Sequence, residues 1–262
     1  MPMKEINPYK KIVLIGAGNV ATHLGIVFKN IGCQIIQVYS RTKSAAESLA
    51  YTLESEAISD IEMLSQNADL YVVAVSDSAV QLIAENLRLE NKTIIHTAGS
   101  LSMDILKSVS NNYGVVYIPQ TFVKNIPLNY NELQICIEGS NKNTEENLEA
   151  FFTQISIHTR FVNSKQRETL HLAAVIVSNF TNCLYGIADD ILSKEELPLE
   201  ILQPLIMETA QKPKHGNPKL LQTGPAKRGD GEILKKHLEM LKNDISIAEL
   251  YHLFTKIIQK SE

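Results

Sequence analysis

The sequence predicts an α/β fold, a doubly wound parallel sheet followed by an all-α C-terminal domain. Three observations predict it. Short apolar runs alternate with helical patterns from Lys11 to about Val162. A glycine turn joins the first run to the first helical pattern. Near Asn163 the alternation stops, and only helical periodicity continues to the end of the sequence.

Composition bounds the reading. At 262 residues, with 44% hydrophobic and 21% charged residues, the chain has an ordinary globular composition and room for two domains. A net charge of −4 gives no reason to expect nucleic acid or an anionic membrane as partner. Cys33, Cys136 and Cys183 lie far apart without a C-x-x-C pair, which argues against a cysteine-built metal site and fits a reducing compartment. The opening residues, MPMKEINPYKK, hold no apolar stretch, and no later run reads as long enough to span a bilayer. The expectation is a soluble, cytoplasmic protein with no metal, no nucleic acid and no membrane partner.

Taken in order, Ile12-Val13-Leu14-Ile15 form a buried parallel strand that runs into Gly16. Gly16 and Gly18 have G-x-G spacing, and Ala21 takes the third small position. The first glycine permits the tight turn, the second removes a Cβ that would block a pyrophosphate, and Ala21 lets the helix lie close. The helix from about Asn19 to Asn30 would aim its unpaired N–H groups and positive dipole end at those phosphates. This is a dinucleotide-site pattern.

The second strand, Cys33 to Tyr39, ends in Ser40-Arg41-Thr42-Lys43. NAD and FAD sites usually place a carboxylate there for the ribose 2′-OH. Hydroxyls and a guanidinium stand there instead, which suits a 2′-phosphate and favours NADP(H) over NAD(H). The missing acid also counts against S-adenosylmethionine. A solvated basic turn is the plainer alternative.

A helix over 45–53, a brief strand at 57–58 and a helical turn over 60–66 come next. A buried strand over 69–75 is followed by Ser76-Asp77-Ser78, which cap a helix over 79–87. A strand over 92–96 runs into Thr97-Ala98-Gly99-Ser100-Leu101. A helix from Met103, a strand over 114–118 and the turn Pro119-Gln120-Thr121-Phe122 follow. Strands over 133–137 and 157–161 flank a helix over 144–154. Beyond lie one long helix over 164–192 and a second after Pro198, interrupted near Pro204. A punctuated connection over 217–229 leads to helices over 230–241 and 245–260. The division is a nucleotide-binding domain, 1–162, and a helical dimerisation or substrate domain, 163–262.

Ligands in such sheets sit beyond the carboxyl ends of the strands. Val75-Ser76 and Thr97-Gly99-Ser100 would lie beside the ribose and nicotinamide. The expected cofactor residues are Gly16, Gly18, Asn19, Val20, Ser40, Arg41, Thr42, Val75, Ser76, Thr97 and Gly99. Asp77 reads more readily as a helix N-cap, Ser100 equally as cap or ligand contact, and His96 as a satisfied core histidine. On the long helix Arg167, His171, Ser178 and Asn182 fall within about 60° at about 100° per residue, with Asn179 adjacent. Buried polar groups without partners cost about 1–3 kcal/mol each, so this stripe needs neighbours or a ligand. One reading bonds it to neighbouring helices. The other turns it to an interdomain cleft, with His171, Ser100 and Asn179 as catalytic residues and His171 as the proton donor. Asp230 can cap the helix it precedes, His237 returns to nearly the same face, and Lys227 and Arg228 would attract an anion or lock the loop.

Gly16-Ala17-Gly18-Asn19-Val20-Ala21 with Ser40-Arg41-Thr42 resembles the superfamily of pyrroline-5-carboxylate reductases and 6-phosphogluconate or β-hydroxyacid dehydrogenases. His96–Ser100, Pro119–Phe122, His171–Val175 with Ser178-Asn179, and Thr223-Gly224-Pro225 with Arg228-Gly229-Asp230 are similar to a bacterial branch of NADP oxidoreductases related to F420-dependent NADP reductases. The resemblance implies a Rossmann-type domain, NADP as cofactor, a helical C-terminal domain of unassigned function that commonly dimerises, and a small-molecule substrate. One departure stands out. β-Hydroxyacid dehydrogenases carry a Lys-x-x-x-Asn pair at the start of the long helix, and here His171 occupies that region. Two functions follow as expectations: an NADP(H)-dependent reductase of a small carbonyl or imine compound, or a non-catalytic NADP-binding sensor or scaffold.

Overall fold

Runs of Ile, Val and Leu without a polar side need cover on both faces, and they become the central strands. In the computed structural model, which describes residues 7–260, β1 (Lys11–Ile15), β4 (Leu70–Val73) and β5 (Thr93–His96) are buried almost throughout. Residues 1–6, which open the stretch read as lacking an apolar leader, lie outside the described residues. With β2 (Gln34–Tyr39), β3 (Glu56–Ile58), β6 (Asn112–Tyr117), β7 (Ile135–Gly139) and β8 (Thr159–Phe161) they form one eight-stranded sheet, ordered β3-β2-β1-β4-β5-β6-β7-β8. The order reverses direction between β1 and β4, where a doubly wound sheet opens a crevice.

The sheet is parallel except between β6 and β7, which pair antiparallel. A parallel return needs a crossover, normally a helix. Residues 118–134 supply only a short 3₁₀ turn, Tyr130–Glu132, so the strand comes back reversed. Helices α1 (Asn19–Asn30), α2 (Lys43–Leu53), α3 (Asp77–Asn86) and α4 (Lys142–Phe152) cover the sheet. One core layer gathers Leu24, Phe28, Phe151 and Phe152, and the other gathers Tyr71, Leu87, Leu89 and Ile94. The helix expected from Met103 is a single 3₁₀ turn, Met103–Leu106, with the Ser102 hydroxyl accepting from the Asp104 N–H.

The long helix begins with a capping box in which Asn163 and Gln166 exchange side-chain and backbone hydrogen bonds. It comprises α5 (Ser164–Ala174), a π-turn over Val175–Phe180, and α6 (Thr181–Ser193). An 18-residue window of this helix has mean hydropathy 1.4 and holds no buried residue, so one stretch does reach the length and apolarity of a membrane span, contrary to the expectation.

Two compact units result, Met1–Asn179 and Phe180–Glu262. The second holds α6, α7 (Gln203–His215, Pro204 in its first turn), α8 (Pro225–Arg228), α9 (Gly231–Met240) and α10 (Ile245–Lys260). Among its described residues Ala226 alone is buried, and Leu205, Met207, Leu220, Met240 and Leu253 are exposed.

Candidate active site

The turn after β1 is shaped by two glycines with different reasons to be glycine. Gly16 has φ +125°, and a Cβ there would stand 2.3 Å from the Ala74 carbonyl oxygen, so the chain itself demands it. Gly18 is extended, with φ −81°, and a Cβ there would meet nothing within 4 Å. Neither backbone nor packing requires that glycine. As N-cap of α1 it also brings no side chain to the first-turn N–H groups, which leaves them to an anion.

A cavity of about 390 Å³ opens over this turn. Every residue expected at the cofactor lines it except Gly99. Arg41 stands exposed on its rim and also borders a smaller, apolar cavity of about 150 Å³ walled by Tyr39, Ile61, Leu82 and Ile83. A planar base fits beside such walls and a 2′-phosphate beside the guanidinium.

Val20, Val75 and Thr97 line this cavity and also a second one of about 450 Å³. The described walls of the second cavity all come from the first unit, including the start of the long helix. Gly99 belongs here, with Tyr117 from the end of β6, the segment Pro119–Phe122, and His171, Ser178 and Asn179. The Tyr117 hydroxyl lies 3.2 Å from His171 Nδ1, and the rings meet edge to face at 5.7 Å. A Cβ on Gly99 would fall 2.6 Å from the imidazole and 2.9 Å from the Tyr117 ring, so only glycine brings this loop against the pair. Burial, and to a lesser degree Cys136, pushes the Tyr117 phenol above its ordinary pKa, so it holds its proton at neutral pH. Thr121 and Ser178 join hydroxyls at 2.8 Å across the cavity wall.

Behind the wall lies a buried ion pair. Arg167, 1% exposed, donates to Glu138 from β7, to the Leu101 carbonyl and to Ser164 Oγ, while Ser164 donates twice to Glu138. Its Nε has no partner among the described residues. This pair ties α5 to the loop after β5. The same loop is held from the other end by His96, whose Nδ1 accepts from the Ala98 N–H at 3.2 Å while Nε2 faces the Ser102 carbonyl at 3.3 Å. Burial first, then the Arg167 charge, lowers the His96 pKa to about 4, so the ring is neutral with its proton on Nε2.

Several expectations change. Asp77 is not the N-cap: Ser76 holds that position, and Asp77 is the first residue of α3, its carboxylate accepting from the Ser100 hydroxyl. Asp77 lines the second cavity, whereas Ser100 is exposed and reaches it through Asp77. Of the polar stripe, Arg167 is the buried ion-pair partner, His171 and Ser178 line the cavity, and Asn182 is exposed. The π-turn explains Asn182, because an extra residue sets later side chains back by about 100°. Asp230 sits at the N-cap of α9, but its carboxylate takes Arg228 at 2.9 Å instead of a helix N–H. His237 is bonded to Tyr251 at 2.8 Å.

Tyr117 and Glu138 were not singled out from sequence. Tyr117 had a signal: it closes a strand, and strand ends were the positions to read. Glu138 had none, because its partner is 29 residues away.

Residues 11–99 match the family described as NADP oxidoreductase, coenzyme F420-dependent, and residues 133–258 match a domain of unknown function, DUF2520. The structure named putative NADP oxidoreductase BF3122, from Bacteroides fragilis, is 39% identical, covers 97% of this chain and 99% of its own, and superposes with TM-score 0.91. A reductive aminase from Aspergillus terreus in complex with NADPH and ethyl levulinate is 14% identical over 96% of this chain and 93% of its own, with TM-score 0.74. An imine reductase from Myxococcus stipitatus in complex with NADP+ is 17% identical over 96% and 93%, with TM-score 0.65. At these lower identities the likeness shows the fold alone. No curated protein matches the chain.

Proposed function

Because the chain belongs to the NADP oxidoreductase family, with NADP as cofactor, we propose that it reduces a small carbonyl or imine compound beside Tyr117 and His171. The observation that carries this reading is the shared wall of Val20, Val75 and Thr97. A dinucleotide with its phosphates over Gly18 and its 2′-phosphate at Arg41 has a continuous path from the first cavity to the second. The open space at Gly18 fits a pyrophosphate, and the guanidinium fits a phosphate. When bound, NADPH supplies the hydride.

The chain's own residues do the rest. Tyr117 holds a proton at the cavity wall, and His171 behind it restores that proton or donates its own. Ser178 and Asn179 offer hydrogen bonds that orient the substrate, and Ser100 fixes the Asp77 carboxylate. In functional terms residues 1–162 bind the cofactor, and 163–262 contribute His171 and the helical dimerisation surface. A bonded Tyr–His pair facing a second cavity favours a catalyst over a sensor, which needs only the first cavity.

We propose also that the protein is a cytoplasmic homodimer. The near absence of buried residues in the described second unit supports a second copy as the cover of its apolar helices. Bonds from His171 and Ser178 to Tyr117 and Thr121 commit the start of the long helix to the sheet and leave a bilayer poorly suited as that cover. The three free cysteines suit a reducing compartment.

The test is NADPH oxidation against a panel of ketones, aldehydes, 2-oxo acids and imines, with NADP+ affinity measured alongside by calorimetry. Tight NADP+ binding with no turnover of any class would sink the reductase reading and leave the sensor.

A further inference from the structure

Resting on the reading above, we infer that the substrate is a C=N compound that binds as an iminium cation, and that carboxylate-bearing substrates are excluded. The juxtaposition behind this is the Asp77 carboxylate beside a cavity whose other described walls bring no Lys, no Arg and no second acid. Among the described lining residues Asp77 is the acid, and none is Lys or Arg. Arg41 borders the other two cavities, and Arg167 is consumed behind the wall by Glu138 and the Leu101 carbonyl. An anionic substrate would therefore meet a like charge with no Lys or Arg to receive it.

The placement of Asp77 is built. The Ser100 hydroxyl holds its carboxylate at the first turn of α3. Leu24, Val116, Phe122 and Val177 give the rest of the cavity an apolar lining suited to a small hydrocarbon frame.

Charge flow distinguishes the two reactions. In the carbonyl case, hydride addition builds negative charge on oxygen beside a carboxylate, which opposes it. In the imine case, a proton from the Tyr117–His171 pair first makes the nitrogen cationic. A C–H bond then forms as hydride arrives, the C=N π pair becomes the nitrogen lone pair, and NADPH is oxidised to NADP+. The positive charge passes from substrate to cofactor, and one carboxylate at the rim faces a cation before and after the step.

Three five-membered-ring compounds test this on the protein saturated with NADPH: pyrrolidinium, cyclopentanol and cyclopentanecarboxylate, each titrated calorimetrically into wild type and Asp77→Asn. The wild type is expected to bind the cation at least about tenfold more tightly than the anion, and Asp77→Asn to weaken the cation about tenfold. Cyclopentanol should bind both proteins alike, which shows that the variant's cavity is intact. Tighter binding of the anion, or an unchanged cation affinity in Asp77→Asn, overturns the inference while the NADP reading stands. Failure of NADPH itself to bind overturns that reading and the inference with it.

Discussion

At the scale of single residues, the charge at the end of β2 is the feature expected to set cofactor choice. Arg41 is exposed beside the glycine-turn cavity, free to make charge-assisted bonds to a 2′-phosphate. NADP(H) should bind more tightly than NAD(H) by about 1–3 kcal/mol, and Arg41→Ala should erase most of that margin. Calorimetry with both cofactors checks it, and equal affinities in the wild type would count against Arg41. A separate prediction concerns the proton. His171→Ala and Tyr117→Phe should each keep NADP+ affinity within a few-fold and lower turnover by about 10²–10⁴. If NADP+ affinity collapses instead, the pair serves the cofactor cavity. Residues on the glycine turn were legible in the sequence because their spacing follows from local chain geometry. Tyr117 was not, because its meaning comes from His171, 54 residues away.

Among elements, the loop after β5 shows how a site is held. His96 ties its two ends, and Arg167 fastens its middle to α5. The folded His96 pKa of about 4 lies below the value of about 6.5 for an unperturbed histidine, so the unfolded chain binds the proton more readily. Its contribution is therefore fully present above about pH 6.5 and is lost as pH falls through about 4, a change on the order of 3 kcal/mol. Thermal melts between pH 4 and 7 should show wild-type stability rising with pH and His96→Gln rising less. Equal slopes would mean that other groups carry the dependence. Most strands and helices were readable from apolar periodicity, including β5 before this loop, whereas the helix expected after it is a single 3₁₀ turn. The reversed β7 was not, since its direction is set by a missing crossover helix. The π-turn was also invisible, and an unbroken 3.6-residue period placed Asn182 on the wrong face for that reason.

The whole molecule raises a question of cover. Helices α6, α7, α9 and α10 contain no buried residue among those described, while carrying Leu184, Leu205, Met207, Ile233 and Leu253 in exposed positions. Apolar surface of that extent on an uncovered unit favours association. Sedimentation equilibrium on the full chain should give a dimer at micromolar concentration, and a monomer there would count decisively against the homodimer. The loss of strand–helix alternation near Asn163 marked where the sheet ends, whereas the compact units divide after Asn179. That α5 packs with the sheet was not legible, because the Arg167–Glu138 pair that fastens it joins distant parts of the sequence.

Gly18 has a consequence for how this protein tolerates change. Its dihedrals suit an N-cap residue, and the space beyond it is open. Asp there would accept from the first turn of α1 and would reduce the freedom of the unfolded chain, so Gly18→Asp should stabilise the cofactor-free protein by a few tenths to about 1 kcal/mol. The same side chain would set bulk and negative charge where a pyrophosphate belongs and abolish binding. Melting temperature and NADP+ affinity should therefore move in opposite directions. A library of variants sorted on heat resistance alone would enrich this substitution, and the hardiest survivors would be cofactor-blind.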